Sequence, residues 1–159
     1  MPRVNRATGG EAWRTPELGI CACTQIRKTT RAVTAFYDQH LAVAGLTVTQ
    51  YAILVNIGRA EQLSRTALAA RLGMDRTTLT RNLQPLERAG FLHIEPGADR
   101  REHAVRLSKA GHGKLNEAYP CWEKAQRQFL AAMGDEGIAA LRVLLADAAE
   151  AAIEKDPSA

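Results

Sequence analysis

No stretch of this 159-residue chain reaches the roughly 18 consecutive apolar residues that a membrane-spanning helix needs. The opening run, MPRVNRATGGEAWRTPE, is polar and has no apolar segment of the kind a secretory leader carries. There are three cysteines, and without an export signal they point to reduced thiols in a cytosol, not to a disulfide framework. The chain contains no phosphate-cradling Walker loop, no Gly-x-Ser-x-Gly elbow and no His-Glu-x-x-His pair. Its four histidines, His40, His93, His103 and His112, have no ligand spacing, and each reads as a surface or hydrogen-bonded histidine. There is no internal repeat and no long structureless linker. The expectation is a cytoplasmic protein with no membrane partner and no enzymatic activity.

What is present is a core and an uneven charge. Hydrophobic residues make up 46% of the chain, enough for one domain with a respectable interior. The formal net charge is +4. Residues 59 to 109 hold ten basic and six acidic side chains, whereas residues 110 to 159 hold five and eight. The middle of the chain is the basic part, and a polyanion is its natural partner.

Apolar spacing sets out the elements. Cys23, Ile26, Thr30, Val33 and Tyr37 recur at steps of three and four, which predicts a long helix from Leu18 to about Ala44, ended by Gly45. In the next segment Val48, Tyr51, Ala52 and Val55 share a face, and Ile53, Leu54 and Ile57 carry the apolar surface nearly all round. That pattern predicts a central, buried helix. Ser64 caps a short helix bearing Leu68 and Leu72, stopped by Gly73. Asp75 caps another, whose Leu79, Leu83 and Leu86 form the buried face up to Gly90. Two short helices about a tight glycine turn make a helix-turn-helix. Pro85 lies inside the second helix and is expected to kink its later half.

Leu92 with Ile94, and Val105 with Leu107, show a period of two around the turn residues Pro96 and Gly97, the signature of a β-hairpin. Arg100 and Arg101 fall at its tip. Ser108 caps a further helix marked by Leu115, Ala118, Tyr119, Trp122, Gln126 and Phe129, with a bend expected at Pro120. Gly134 and Asp135 break the chain before a last amphipathic helix bearing Ile138, Leu141, Leu145, Ala148 and Ala152. The fold class is mainly α with a small β-hairpin wing: a winged helix-turn-helix whose flanking helices have little to pack on in a monomer.

Arg76, Thr77, Thr78 and Arg81 lie opposite the leucine face of the second motif helix. Arginine donates two hydrogen bonds to guanine, and threonine contacts a thymine methyl or a phosphate. The helix N-terminus itself favours phosphate. Arg100 and Arg101, with Asp99 orienting one of them, extend the footprint to phosphate or a narrow minor groove.

The run LSRTALAARLGMDRTTLTRNLQPLERAGFLHIEPGADRREHAVRLSKAG resembles the core of the multiple antibiotic resistance regulator (MarR) family. DRREHAVRLSKAG fits that family's Asp-x-Arg wing followed by Leu-Ser/Thr-x-x-Gly. The resemblance extends over nearly the whole chain, with Pro85 a departure from the usual pattern. It implies a bacterial transcription regulator, often a repressor, that binds palindromic operator DNA as a homodimer and lies on the nucleoid when bound. It carries Arg76, Thr77, Thr78 and Arg81 to the major groove and Arg100 and Arg101 to the wing contact, with Ser64, Arg65 and Thr66 on phosphate. The organisation expected is an N-terminal arm over 1–17, a helical dimerisation region over 18–46 and 108–154, a DNA-binding domain over 47–107 and a tail over 155–159. No cofactor is obligatory. The family's commoner effector is a small phenolic or aromatic acid held between the dimer helices and the winged domain. Two other readings stay open. One is a sensor of oxidant or of a thiophilic metal or metalloid such as arsenite, through Cys21, Cys23 and Cys121. The other is a winged helix that binds protein instead of DNA.

Overall fold

The computed structural model describes residues 21–60, 62–96 and 103–153. The elements run α1 (Ala22–Leu41), a 3-10 turn (Ala42–Ala44), α2 (Val48–Ala60), β1 (Leu63–Ser64), α3 (Arg65–Leu72), α4 (Arg76–Arg88), β2 (Leu92–Pro96), β3 (His103–Leu107) and α5 (Lys109–Ile153). The chain divides into two units, Met1–Thr34 and Ala35–Ala159. Of the first, only the opening turns of α1 and the preceding Cys21 are described. Cys23, Ile26 and Thr30, expected on one face of the helix, are exposed there; full burial along α1 comes at its end, with Tyr37 and Leu41.

Local chemistry accounts for each start and stop in the second unit. Gly45 takes a left-handed φ of 66° and closes the 3-10 turn. Thr47 and Gln50 then form a reciprocal capping box. The Gln50 N–H donates to Thr47 Oγ1 at 3.2 Å, and the Thr47 N–H donates to Gln50 Oε1 at 3.0 Å. Asp38 Oδ1 accepts a further orphan donor, the Val48 N–H, at 2.7 Å. The helix so anchored is the centre of the core. Ile53, Leu54 and Ile57 are completely buried, and Leu41, Leu68, Leu79, Leu83, Leu86, Leu92 and Val105 join them in one cluster. The nearly all-round apolar pattern of α2 thus has its expected consequence.

The sheet is three-stranded and antiparallel in the order β1-β3-β2. Leu92 pairs with Leu107 and Ile94 with Val105, the hairpin register expected. Two-residue β1 was not foreseen, because so short a strand has no periodicity to read. It pairs Leu63 with Val105 and Ser64 with Ala104, and so makes β3 the middle strand.

α5 enters beside the wing. The Ser108 N–H donates to the Phe91 carbonyl at 3.0 Å and its hydroxyl to the Gly90 carbonyl at 2.6 Å, while Ser108 Oγ accepts the Gly111 N–H at 3.0 Å. Gly111, Ala118 and Ala125, seven residues apart, are buried, so small side chains line the seam on which α5 seats. The helix continues through Pro120 and departs from helical geometry at Gly134, with φ 69° and ψ 165°. The expected break at Gly134 is therefore real: α5 is two helices that meet at a kink there. α4 likewise continues through Pro85 to Arg88. Lost N–H donors at these prolines are single ladder bonds, which the flanking turns tolerate.

A Cβ at Gly111 would overlap the Phe91 carbonyl oxygen. Elsewhere in a helix, glycine to alanine gains about 1 kcal/mol. Here Gly111→Ala is expected to destabilise by about 1–3 kcal/mol through overpacking, measured as a lower urea midpoint.

Candidate nucleic-acid interface

α3 and α4 are set by their caps. Ser64 Oγ accepts the Ala67 N–H at 3.1 Å. Asp75 Oδ1 accepts the Thr78 N–H and Oδ2 the Thr78 hydroxyl, both at 2.8 Å. These donors hold the Asp75 carboxyl below its ordinary range, the backbone N–H of Thr78 first and its hydroxyl second. Between the helices Gly73 is left-handed at φ 61°, which gives the tight turn its geometry. α4 buries Leu79, Leu83 and Leu86 and leaves Arg76, Thr77 and Arg81 exposed on the opposite side. Thr78 is half-buried, with its hydroxyl hydrogen held by Asp75. Its role on this face is to fix the first turn of α4, which leaves only oxygen lone pairs for a partner.

Beneath that face lies a cleft of about 200 Å³, lined by Ser64, Arg65, Thr66, Arg76, Thr80 and His103, with buried Leu79 at its wall. Three elements supply it: the starts of α3 and α4, and the first residue of β3. The cleft brings together four of the residues singled out in the sequence, Ser64, Arg65, Thr66 and Arg76, and adds Thr80 and His103. His103 is thus no simple surface histidine. Arg100 and Arg101 at the wing tip, with Asp99, lie outside the described residues.

The sequence model of the MarR family matches residues 44–102. The chain is 36% identical to the transcriptional regulator MosR of M. tuberculosis, solved in complex with DNA, over 84% of this chain and 98% of that one, with a TM-score of 0.74. This chain belongs to the MarR family. MarR of E. coli, solved with operator DNA, has the same fold, with a TM-score of 0.74 at 21% identity over 84% of this chain and 96% of its own. An uncharacterised HTH-type transcriptional regulator of Bacillus subtilis (strain 168), YwoH, is 26% identical over 112 residues, 70% of this chain and 82% of that protein. The chain is accordingly a DNA-binding, winged-helix transcription regulator.

Behind the winged domain, this MarR-family chain has a larger cavity, about 460 Å³, between α2 and the first half of α5. Tyr51 and Trp122 stack in its wall with ring centroids 5.7 Å apart, and Tyr119 tilts against Trp122 at 6.0 Å. Arg59, His112 and Asn116 supply polar groups. Burial raises the Tyr51 phenol, nearby Tyr119 adds to the rise and Arg59 opposes it. Tyr51 therefore remains a neutral donor at neutral pH. Sequence reading placed these aromatics on packing faces, because only the crossing of α2 and α5 brings them around one space.

The cysteines fall in separate settings. Cys21 and Cys23 are exposed at the start of α1, and Cys121 is half-buried on α5, where it lines a groove with His40, Val43 and Lys124. Cys21 precedes the first residue of α1. The Thr24 backbone N–H, then its hydroxyl, then the Cys23 N–H lower its thiol from the ordinary value. Among the described residues, no three His, Cys, Asp or Glu side chains converge as a metal site. His40 has both ring nitrogens engaged, at 2.9 Å from the Phe36 carbonyl and 2.9 Å from Gln128 Oε1. No single helix among the described residues is long and apolar enough to cross a membrane.

Asp75 carries the pH dependence of this face. Its folded carboxyl titrates below its unfolded one, so the stability it adds is present above the unfolded value and lost as pH falls through the folded value. Asp75→Ala should lower the urea midpoint at pH 7, and the gap to wild type should close in strong acid. A gap that stays constant down to pH 2 would contradict the cap's role.

Proposed function

We propose that this MarR-family regulator represses transcription as a homodimer on a palindromic operator and releases DNA when a small aromatic acid binds. The observation that carries the DNA reading is the outward array of Arg76, Thr77 and Arg81, opposite the buried leucines of α4. A winged helix that docked on protein would need an apolar outer face there, and this one is cationic. Arg76 and Arg81 read base edges, with Thr77 beside them and Thr78 fixing the helix start. Ser64, Arg65 and Thr66 hold the backbone. Arg100 and Arg101 extend contact from the wing.

Dimerisation is supported by the far end of α5. Val143, Leu144 and Leu145 are 59%, 66% and 51% exposed in a single chain, although α5 is apolar there for several turns. A contiguous apolar surface of this kind marks an interface, and a two-fold dimer is the commonest closed symmetry. The dimerisation region is residues 18–46 and 108–154, flanking the DNA-binding domain over 47–107.

The effector reading rests on the cavity between α2 and α5. Stacked Tyr51 and Trp122 offer a flat aromatic wall, and Arg59 supplies the one guanidinium in the lining, matched to a ring bearing a carboxylate. The lowered thiol of Cys21 favours a second reading, in which oxidation at Cys21, with Cys23 and Cys121, tunes DNA binding.

Fluorescence anisotropy with a duplex selected from a random pool tests the DNA face. Arg76→Ala should cost on the order of 1–3 kcal/mol on the selected duplex and relax base preference. Arg101→Ala should weaken selected and random duplexes alike and flatten the salt dependence. Equal losses from both variants on both duplexes would overturn the division of labour.

Sedimentation should give a dimer at micromolar concentration, and a monomer there would refute the interface. Titrating the complex with salicylate-like acids, peroxide and arsenite separates the effectors. Loss of the acid response in Arg59→Ala supports the cavity. An unchanged response to peroxide and arsenite in the Cys21→Ser, Cys23→Ser, Cys121→Ser variant eliminates the thiol reading.

A further inference from the structure

The cleft under the motif is made by the sheet register. β1 and β3 pair Leu63 with Val105 and Ser64 with Ala104. The ladder ends there, because Arg65 begins α3, and His103 is the residue of β3 next to that end. On its other side, β2 places Pro96 against His103, a residue with no N–H to offer. His103 is half-buried and lines the cleft with Arg65, Arg76, Ser64, Thr66 and Thr80.

The lining has the chemistry of an oxyanion site. Among the described residues it contains two guanidiniums, an imidazole and three hydroxyls, and no carboxylate. The hydroxyls are not equivalent. Thr80 gives its hydrogen to the Arg76 carbonyl at 2.8 Å, so it shapes the wall and does not donate into the cleft. Ser64 uses its oxygen to accept the Ala67 N–H, which leaves its hydroxyl hydrogen free to donate. Arg65, Arg76 and His103 therefore bring N–H donors from three different elements to one space. The cleft opens beside the exposed face of α4, where a duplex lying on Arg76 and Arg81 carries its sugar-phosphate backbone.

We propose that His103 is a DNA-contacting residue, and that with Arg65 it seats one backbone phosphate of the duplex in this cleft. The inference rests on the DNA-face reading above and adds to it a contact from the base of the wing. A phosphodiester presents two non-bridging oxygens, one for the guanidinium of Arg65 and one for the imidazole of His103, and Arg76 is left to the base edges. The contact positions the protein and reads no base. Because it ties α3 and β3 to a single atom group, it also sets how the wing lies on the duplex.

Affinity of wild type, His103→Ala and His103→Gln for the selected and an unrelated duplex, with melting temperatures measured alongside, tests the site. His103→Ala should lose about tenfold or more on both duplexes, the scale of a hydrogen bond to a charged group. His103→Gln, which keeps an N–H donor, should recover most of the loss, and all three proteins should melt alike. A scan of duplexes carrying one neutral methylphosphonate each should find one position per half-site that weakens wild type several-fold more than it weakens His103→Ala, which keeps Arg65 on that phosphate. Wild-type affinity in His103→Ala, or an alanine variant as sensitive as wild type at every phosphate, overturns the site while leaving the α4 reading intact. A melting temperature raised by inorganic phosphate at constant ionic strength in wild type but not in His103→Ala, with duplex affinities equal, assigns the cleft to a free anion and overturns the DNA contact. Failure of wild type to bind any duplex overturns both readings.

Discussion

Where the wing returns to the long helix there is no space for a side chain at Gly111, and the Phe91 carbonyl fills the position a Cβ would take. Ser108 locks the same junction with three hydrogen bonds, to Phe91, Gly90 and Gly111. α5 therefore leaves the winged domain at one angle, against the chain that links α4 to β2. The stretch of α5 up to the kink at Gly134 inherits that direction. So does the wing, because β3 ends where the junction begins.

One turn further in, α2, β3 and α5 meet around another glycine. Leu107 and Leu115 would approach a Cβ at Gly58 to 3.1 and 3.3 Å. Gly58 and Leu115 also line the aromatic cavity, and Leu107 closes β3, whose first residue, His103, lines the cleft beside α4. The two sites are thus joined by one short strand and by packed side chains that have little room to yield.

Charge divides the same way. Basic side chains concentrate on α3, α4 and the hairpin, while α5 beyond Gly134 combines acidic residues with exposed Val143, Leu144 and Leu145. The basic part of the chain and its apolar, acidic C-terminal part therefore present different chemistry to a polyanion.

Local signals in the sequence determined most of the fold. The leucines of α4, the caps Ser64, Asp75 and Ser108, the stops at Gly45, Gly73 and Gly90, and the alternation in β2 and β3 all act within a few residues, so they are legible without tertiary contacts. The outward arginines of α4 followed from the same periodicity. Other features depended on distant segments meeting. The stripe Cys23–Ile26–Thr30 has helical spacing but is exposed, because periodicity states which residues share a face and not whether anything covers it. β1 exists only because β3 pairs with it, and that pairing, not any motif, carries His103 to Arg65. Tyr51 and Trp122 form a cavity wall only where α2 and α5 cross. The sequence by itself determined the elements and the outward cationic face of α4, since those arise from short-range hydrogen bonding and side-chain period. Tertiary structure alone decided the cleft and the cavity, since each is a space bounded by residues far apart in the chain, and a space has no sequence pattern.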